Sequence, residues 1–267
     1  MLNTLDGETR LFAILGDPIA QVKSPGGITQ ALVRRGANAV LVPMHVRPAE
    51  FDVVMRALRN VVNVEGLIMT VPHKIPVMAH IETMTDRARF LGACNLLRRI
   101  KPDGGWHGDA SDGQGFVNAL KVGGFEPRGK RALLVGAGGA GSAIALALVE
   151  AGVTTLAIHD ESPERRDSLI ARLNGLGMAS ARVGSADPAG SDLAVNATPT
   201  GMKPTDPLPI DVTRLEKGAF AADVVTVPEQ TRFLDASAQR GCGTQTGTAM
   251  FLAQVEFIAD FLLGARR

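Results

Sequence analysis

The chain has no tyrosine, one tryptophan and two cysteines in 267 residues, and aromatic residues make up only 4%. Cys94 and Cys242 are far apart and share no metal-ligand spacing, so neither a disulfide scaffold nor a cysteine zinc site is expected. Charge of either sign is not in excess: 28 basic residues face 27 acidic ones, for a net charge of +1. A general electrostatic attraction to nucleic acid or to an acidic bilayer is therefore not expected. No apolar run approaches the roughly 20 residues that span a bilayer. The opening MLNTLDGETR has no apolar stretch after a basic start, so no secretory leader is expected. His45, His80 and His107 fall in no ligand spacing, and no metal is expected. What these absences leave is a cytoplasmic globular protein, 45% apolar and 21% charged, long enough for about two domains.

The chain alternates two patterns. RLFAILG (Arg10 to Gly16), AVLVPMHV (Ala39 to Val46) and VEGLIMTVP read as strands. Between them, ITQALVRRG and AEFDVVMRALRNV read as helices, the latter with Phe51, Val54, Met55 and Leu58 at helical spacing. ACNLLRRI and GGWHGD read as paired strands about a Pro-Asp-Gly-Gly turn. In the second half RALLVGAGG, TTLAIHD, SDLAVNATP and AFAADVVTVP are strands. The helix SPERRDSLIARLNGLG has Ser162 as its N-cap and Pro163 at its first position. This alternation, with near-continuous apolar strands, predicts an α/β protein whose parallel sheets carry helices on both faces. Two domains are expected. Residues 1–112 plus 243–267 would form a substrate domain, and residues 113–242 a Rossmann-like, doubly wound dinucleotide-binding domain. The boundary passage holds a connecting helix from Phe116 to Val122, and TAMFLAQVEFIADFLLG is expected to be one apolar helix.

The segment LLVGAGGAGSAIALAL contains G-x-G-x-x-G at Gly136, Gly138 and Gly141, with Ala137, Gly139 and Ala140 completing the turn. Its context makes the motif specific, because it follows a strand, opens a helix, and precedes a second strand that ends at Asp160. Gly136 permits the tight turn, Gly138 lets backbone approach a pyrophosphate, and Gly141 lets the helix pack closely. The helix N-terminus offers free N–H groups to phosphate. Asp160 can accept hydrogen bonds from an adenosine ribose and repels a 2′-phosphate, and Glu161 adds a second negative charge. NAD is favoured over NADP on this ground, while Arg165-Arg166 keep a phosphate-binding alternative open.

The apolar run from Gly66 to Val71 reads as a buried strand that Pro72 ends, with Lys74 just beyond it. Taken alone, Lys74 is either a solvated charge at a helix start or a proton carrier at the mouth of a site. His73, beside it, either tunes the lysine or is a bystander.

Eight segments in order settle that choice by resemblance: GDPIAQVKSP, MTVPHK, LGACNLL, GDASDGQG, VGAGGAG, VNATPTGM, AADVVTVPEQT and MFLAQ. Together they resemble the shikimate/quinate dehydrogenase family nearly end to end. The resemblance implies reversible oxidation of a ring secondary alcohol to a ketone, with hydride passing to a nicotinamide in a cleft between the two domains. It implies that Lys74 and Asp112 are the catalytic pair, and that Ser24, Thr70, Asn95 and Gln254 meet the carboxylate or ring hydroxyls of a small cyclic hydroxy acid. Thr198, Val224 and Gly247 match positions near the cofactor. Alcohol oxidation needs a group to take the hydroxyl proton as hydride leaves. Lysine, at an ordinary pKa of about 10.4, is a better acid than base at neutral pH.

Four positions depart from the family pattern: in the substrate loop Gln21 and Val22 stand where a histidine and a serine are usual, Ile68 stands where an asparagine is, and Thr226 where a tyrosine is. Losing a hydrogen bond to a charged group costs about 1.5–3 kcal/mol, so the departures leave open whether shikimate is the preferred substrate. A nucleotide-binding sensor that has lost catalysis is the alternative from another class; intact Lys74 and Asp112 argue against it. A homodimer is left open.

Overall fold

The computed structural model describes residues 5–20, 22, 24–100 and 104–264. The chain forms two compact units, one of residues Met1–Ser111 and Val255–Arg267, the other of Asp112–Gln254. Among the described residues the first unit has β1 (Arg10–Gly16), α1 (Ser24–Arg34), β2 (Ala39–His45), α2 (Phe51–Arg59), β3 (Val64–Met69), β4 (Thr83–Met84), α3 (Asp86–Leu91), β5 (Leu96–Ile100) and β6 (Gly105–Asp109). Its strands are ordered β2-β1-β3-β5-β6-β4. β1, β2 and β3 are parallel, whereas β5 runs antiparallel to both β3 and β6. The expected hairpin is thus present and makes this sheet mixed rather than parallel throughout. Its turn residues Pro102 and Asp103 lie outside the described residues, as do Gln21 and Lys23 of the segment GDPIAQVKSP.

The period-two alternation of side chains sets the two faces of β3, both of them largely buried. Leu67 and Met69 enter a core with Leu15, Phe51, Met55, Val77 and Trp106. Gly66 lies on the opposite face, where an added Cβ would sit 2.7 Å from Leu262. Arg99 closes the loop after α2. Its guanidinium donates to the carbonyls of Leu58, Arg59, Val61, Val64 and Gly104 at 2.6–3.3 Å, and it lies 4.7 Å over the Trp106 ring. It was a bare basic pair, Arg98-Arg99, in the sequence. Here a planar five-donor group neutralises the carbonyl end of a helix.

The second unit has α4 (Asp112–Val122), β7 (Arg131–Val135), α5 (Gly139–Glu150), β8 (Thr155–His159), α6 (Pro163–Asn174), β9 (Ser180–Val183), β10 (Leu193–Asn196), β11 (Phe220–Asp223), α7 (Arg232–Gln239), β12 (Gly243–Gln245) and α8 (Gly247–Leu252). Its sheet, β12-β11-β10-β7-β8-β9, is parallel at every pair. Numbered within the unit this is the doubly wound dinucleotide-binding order, reversing direction between β7 and β10. Ser162 caps α6 by accepting from Arg165 N–H, with Pro163 next in line.

Two boundaries differ from expectation. The last apolar stretch is two helices, α8 and then α9 (Val255–Leu263), separated at Ala253-Gln254. α8 packs on α4 in the second unit, and α9 packs on α1 and β5 in the first. Residues 243–254 therefore group with the nucleotide-binding unit, because β12 pairs in register with β11. The connecting helix also begins earlier, at Asp112, since Gly113 lets it lie directly on α5: an added Cβ would be 2.1 Å from the Ala143 carbonyl.

Arg99→Met is expected to leave several buried carbonyls without donors and to destabilise the first unit by about 3 kcal/mol or more. Thermal and urea unfolding followed by circular dichroism measure this; an unmoved midpoint would show the carbonyls to be satisfied without it.

Candidate functional site

The second unit presents a hollow of about 360 Å³ at the ends of β7, β8 and β10, lined by Gly136, Gly138, Asp160, Glu161, Arg165 and Thr198 among others. Close backbone approach builds it. Gly136 has φ +104°, and an added Cβ would lie 2.8 Å from the Ala197 carbonyl at the end of β10. At Gly141 a Cβ would lie 1.9 Å from the Gly136 carbonyl, so α5 presses onto the turn. Gly138 and Gly139 are the reverse case, with nothing within 4 Å of an added Cβ. The glycines thus divide into two that seal the turn and two that leave space above the first N–H groups of α5. Ala137 is buried and Ala140 partly so.

The structure gives Asp160 more work inside the protein than the sequence suggests. The residue is 8% exposed. Its Oδ2 accepts from Ala137 N–H at 2.6 Å, and Oδ1 accepts from Ser162 N–H at 2.8 Å and from the Arg165 guanidinium at 2.9 Å. Burial raises its pKa, but these donors outweigh burial and hold the carboxyl below the usual carboxylate range. Asp160 braces the glycine turn. Glu161, next along, is the exposed carboxylate on the rim.

Thr198 is half-buried, and its hydroxyl donates to Asn196 Oδ1 at 2.7 Å. Val224 N–H donates to the Asn196 carbonyl. Gly247 opens α8 so close to β11 that a Cβ would lie 2.5 Å from the carbonyls of Val224 and Val225. Thr226 is exposed in the loop that follows. In the same unit, Asp112 is the first residue of α4, and Gln254 is buried against that helix, its Cγ 1.9 Å from where a Gly115 Cβ would be.

In the first unit, backbone bonds gather distant residues at one end of the sheet. Thr70 N–H donates to the Leu15 carbonyl, and a Cβ on Gly16 would lie 2.3 Å from Thr70 Cγ2. Met69 N–H donates to the Asn95 carbonyl, and Cys94 N–H to the Lys74 carbonyl, each at 2.8 Å. Asn95 is buried and paired twice with Ser111: its Oδ1 accepts from Ser111 N–H at 2.8 Å and its Nδ2 donates to Ser111 Oγ at 3.0 Å. Thr70, Lys74 and Asn95 are thereby brought together. Ser24 is buried at the start of α1, and Val22 is half-buried in the loop leading to it. Ile68 is buried within β3.

His73, left open by the sequence, is fully buried. Its ring is stacked on Phe51 at 4.3 Å, with Nε2 2.7 Å from the Val46 carbonyl. That carbonyl can only accept, so Nε2 carries the proton. The side chain pins the Thr70–Lys74 turn to the end of β2. Sequence reasoning also missed Ser111 and the pair Arg87–Asp109, whose Asp109 Oδ2 accepts from Arg87 at 2.8 Å. Cys94 is inert here, since burial pushes its thiol up to about 12. Among the described residues no group of His, Cys, Asp and Glu could hold a metal ion, and no helix is long and apolar enough to cross a membrane.

A doubly wound sheet with a glycine turn at its switch point, followed by a braced acidic strand end, defines a dinucleotide-binding class. Comparison with known proteins names the branch. The substrate-binding domain model of shikimate dehydrogenase matches residues 14–97. Shikimate dehydrogenase (NADP(+)) of Rubrobacter xylanophilus is 38% identical, over 94% of this chain and 89% of its own length. Among solved structures, shikimate 5-dehydrogenase of Listeria monocytogenes, in complex with shikimate and NAD, superposes with a TM-score of 0.90 at 25% identity, covering 100% of this chain and 96% of that one. The 5-ketofructose reductase of Gluconobacter sp. strain CHM43 superposes at 0.87 with 28% identity, covering 96% and 93%. The chain belongs to the shikimate dehydrogenase family and is an NAD(P)-dependent oxidoreductase acting on a CH–OH donor.

The two kinds of glycine should separate on mutation. Gly141→Ala is expected to destabilise the second unit by about 1–3 kcal/mol through overpacking. Gly138→Asp is expected to leave the melting temperature unchanged and to weaken dinucleotide binding at least about tenfold by charge repulsion. Thermal melts and calorimetric titration with NADH and NADPH check both.

Proposed function

We propose that the enzyme interconverts a ring secondary alcohol and its ketone on a shikimate-like or quinate-like cyclic hydroxy acid. The supporting observation is the gathering of Thr70, Lys74, Asn95 and Ser111 at one end of the first unit's sheet. Lys74 takes the hydroxyl proton in oxidation and returns it in reduction, and Asp112 is the second catalytic residue of this reading. Ser24, Thr70, Asn95 and Gln254 supply hydrogen bonds to the carboxylate and ring hydroxyls. The dinucleotide, when bound, accepts or returns the hydride. The open space above Gly138 and Gly139, the hollow beside Thr198 and the close approach of Gly247 to Val224 suit such a group. His73 keeps the lysine's turn in place, so the proton carrier needs little reorganisation during the reaction.

A second reading has two supports. Val22 and Ile68 bring apolar side chains to the segments that would meet the acid group, and the chain is similar to a reductase named for 5-ketofructose. A polyhydroxy ketone without a carboxylate is the substrate class this favours.

For the cofactor, Glu161 on the rim favours NAD, because a carboxylate there repels a 2′-phosphate. Curated relatives are named for NADP(+), and Arg165 offers a cation on the same rim. NAD is our reading; its weight rests on Glu161, since Asp160 is committed to the turn.

Turnover of shikimate and quinate, and of 5-ketofructose in the reducing direction, is expected to favour the ring acids. Lys74→Met is expected to lower kcat by about 10²–10⁴-fold with dinucleotide affinity intact. Preference for 5-ketofructose would establish the second reading, and an unchanged kcat would remove Lys74 from the chemistry. Glu161→Arg is expected to shift the kcat/KM ratio toward NADP by about tenfold or more; steady-state kinetics with both dinucleotides measure it, and an unmoved ratio would take Glu161 out of cofactor choice.

A further inference from the structure

Three fully buried polar residues of the second unit have no part in the reading above: Asn196, Asp223 and Thr231. Asn196 ends β10 and Asp223 ends β11, and they are register partners. Asp223 Oδ1 accepts from Asn196 Nδ2 at 3.0 Å and from Val225 N–H at 3.0 Å. Its Oδ2 accepts from the Thr231 hydroxyl at 2.8 Å. Thr231 Oγ1 in turn accepts from Leu234 N–H and so caps α7. Burial raises the pKa of Asp223, while these three donors and the Val224 N–H oppose that.

A carboxylate only accepts, so it dictates the polarity of everything around it. Asn196 must turn its NH₂ toward Asp223, and its Oδ1 must then face the other way. There it accepts from Thr198 N–H at 3.1 Å and from the Thr198 hydroxyl at 2.7 Å, while Nδ2 also reaches the Thr200 carbonyl at 2.9 Å. Thr200 N–H closes the set on Thr198 Oγ1. Thr198, Pro199 and Thr200 form one wall of the hollow. On its other side Asp223 holds Val225, whose carbonyl, with that of Val224, lies against Gly247.

We propose that Asp223 is a positioning residue for the dinucleotide: by orienting the Asn196 amide it sets the shape of the Thr198–Thr200 wall, and through Val225 the segment facing Gly247. An amide in its place keeps an acceptor on one side only, so either the Asn196 and Val225 donors or the Thr231 hydroxyl would meet an NH₂ where a carboxylate oxygen now accepts. The inference rests on the reading of the hollow as the dinucleotide site.

The test measures Kd for NADH and NADPH by calorimetry, apparent melting temperature, and KM for the ring substrate. Asp223→Asn is expected to raise the dinucleotide Kd about tenfold or more, with KM for the ring substrate at saturating dinucleotide held within about twofold. Thr231→Val, which removes a single hydroxyl, is expected to raise Kd severalfold and decides the matter if Asp223→Asn does not fold; Thr231→Ser restores it. Exchanging the pair, Asn196→Asp with Asp223→Asn, is expected to recover only part of the affinity lost in Asn196→Asp alone, because the Thr200 carbonyl and Val225 N–H lose their partners in the exchange. Lower melting temperatures with an unaltered Kd would reduce the network to a structural role and overturn the proposal. Unaltered binding in Gly138→Asp would instead overturn the dinucleotide reading, and this inference with it.

Discussion

The second unit depends on a contact between backbones. Gly141 sits on the carbonyl of Gly136, and Gly136 sits against the carbonyl of Ala197. Nothing larger than hydrogen fits either place, so β7, α5 and the end of β10 approach more closely than side chains would permit. That approach exposes the first N–H groups of α5 at the switch point of the sheet. Asp160 then braces the turn from β8 by accepting from Ala137 N–H. The buried carboxylate is stabilised by three donors, one of them cationic, which offset its desolvation.

The first unit assembles its candidate site by different means. No glycine fingerprint marks it. Chain segments distant in sequence are joined by backbone hydrogen bonds, Met69 to Asn95, Cys94 to Lys74 and Thr70 to Leu15, and by the paired amide and hydroxyl of Asn95 and Ser111. His73 anchors the turn that carries Lys74 by burying its ring on Phe51 and bonding to the Val46 carbonyl. A histidine beside a candidate catalytic lysine is therefore explained by packing and one hydrogen bond.

Much of this was legible beforehand where local rules dominate. β1 runs from Arg10 to Gly16 as its apolar run indicates, and Ser162 caps α6 as its type and place require. The glycine turn was legible because each glycine answers a steric need that no other residue meets. The single apolar terminal helix was not, because both halves are apolar and nothing in TAMFLAQVEFIADFLLG marks a break. The break at Ala253-Gln254 reflects packing partners, α4 for one half and α1 for the other. The early start of α4 was hidden for a related reason: Asp112-Gly113 reads as a turn until Gly113 is seen to meet α5. Arg99 and Asp223 carried no local signal at all.

The sequence by itself determined the fold class and the dinucleotide turn, because propensity, periodicity and glycine sterics act over a few residues; the family was legible only through the resemblance of eight ordered segments. Tertiary structure alone decided which polar groups are committed internally. Asp160 braces a turn, Asp223 orients Asn196, and His73 anchors the lysine's turn, each because a buried polar group must find its partners across strands remote along the chain. Chain order cannot display those partners, since they lie 23, 27 and 27 residues away.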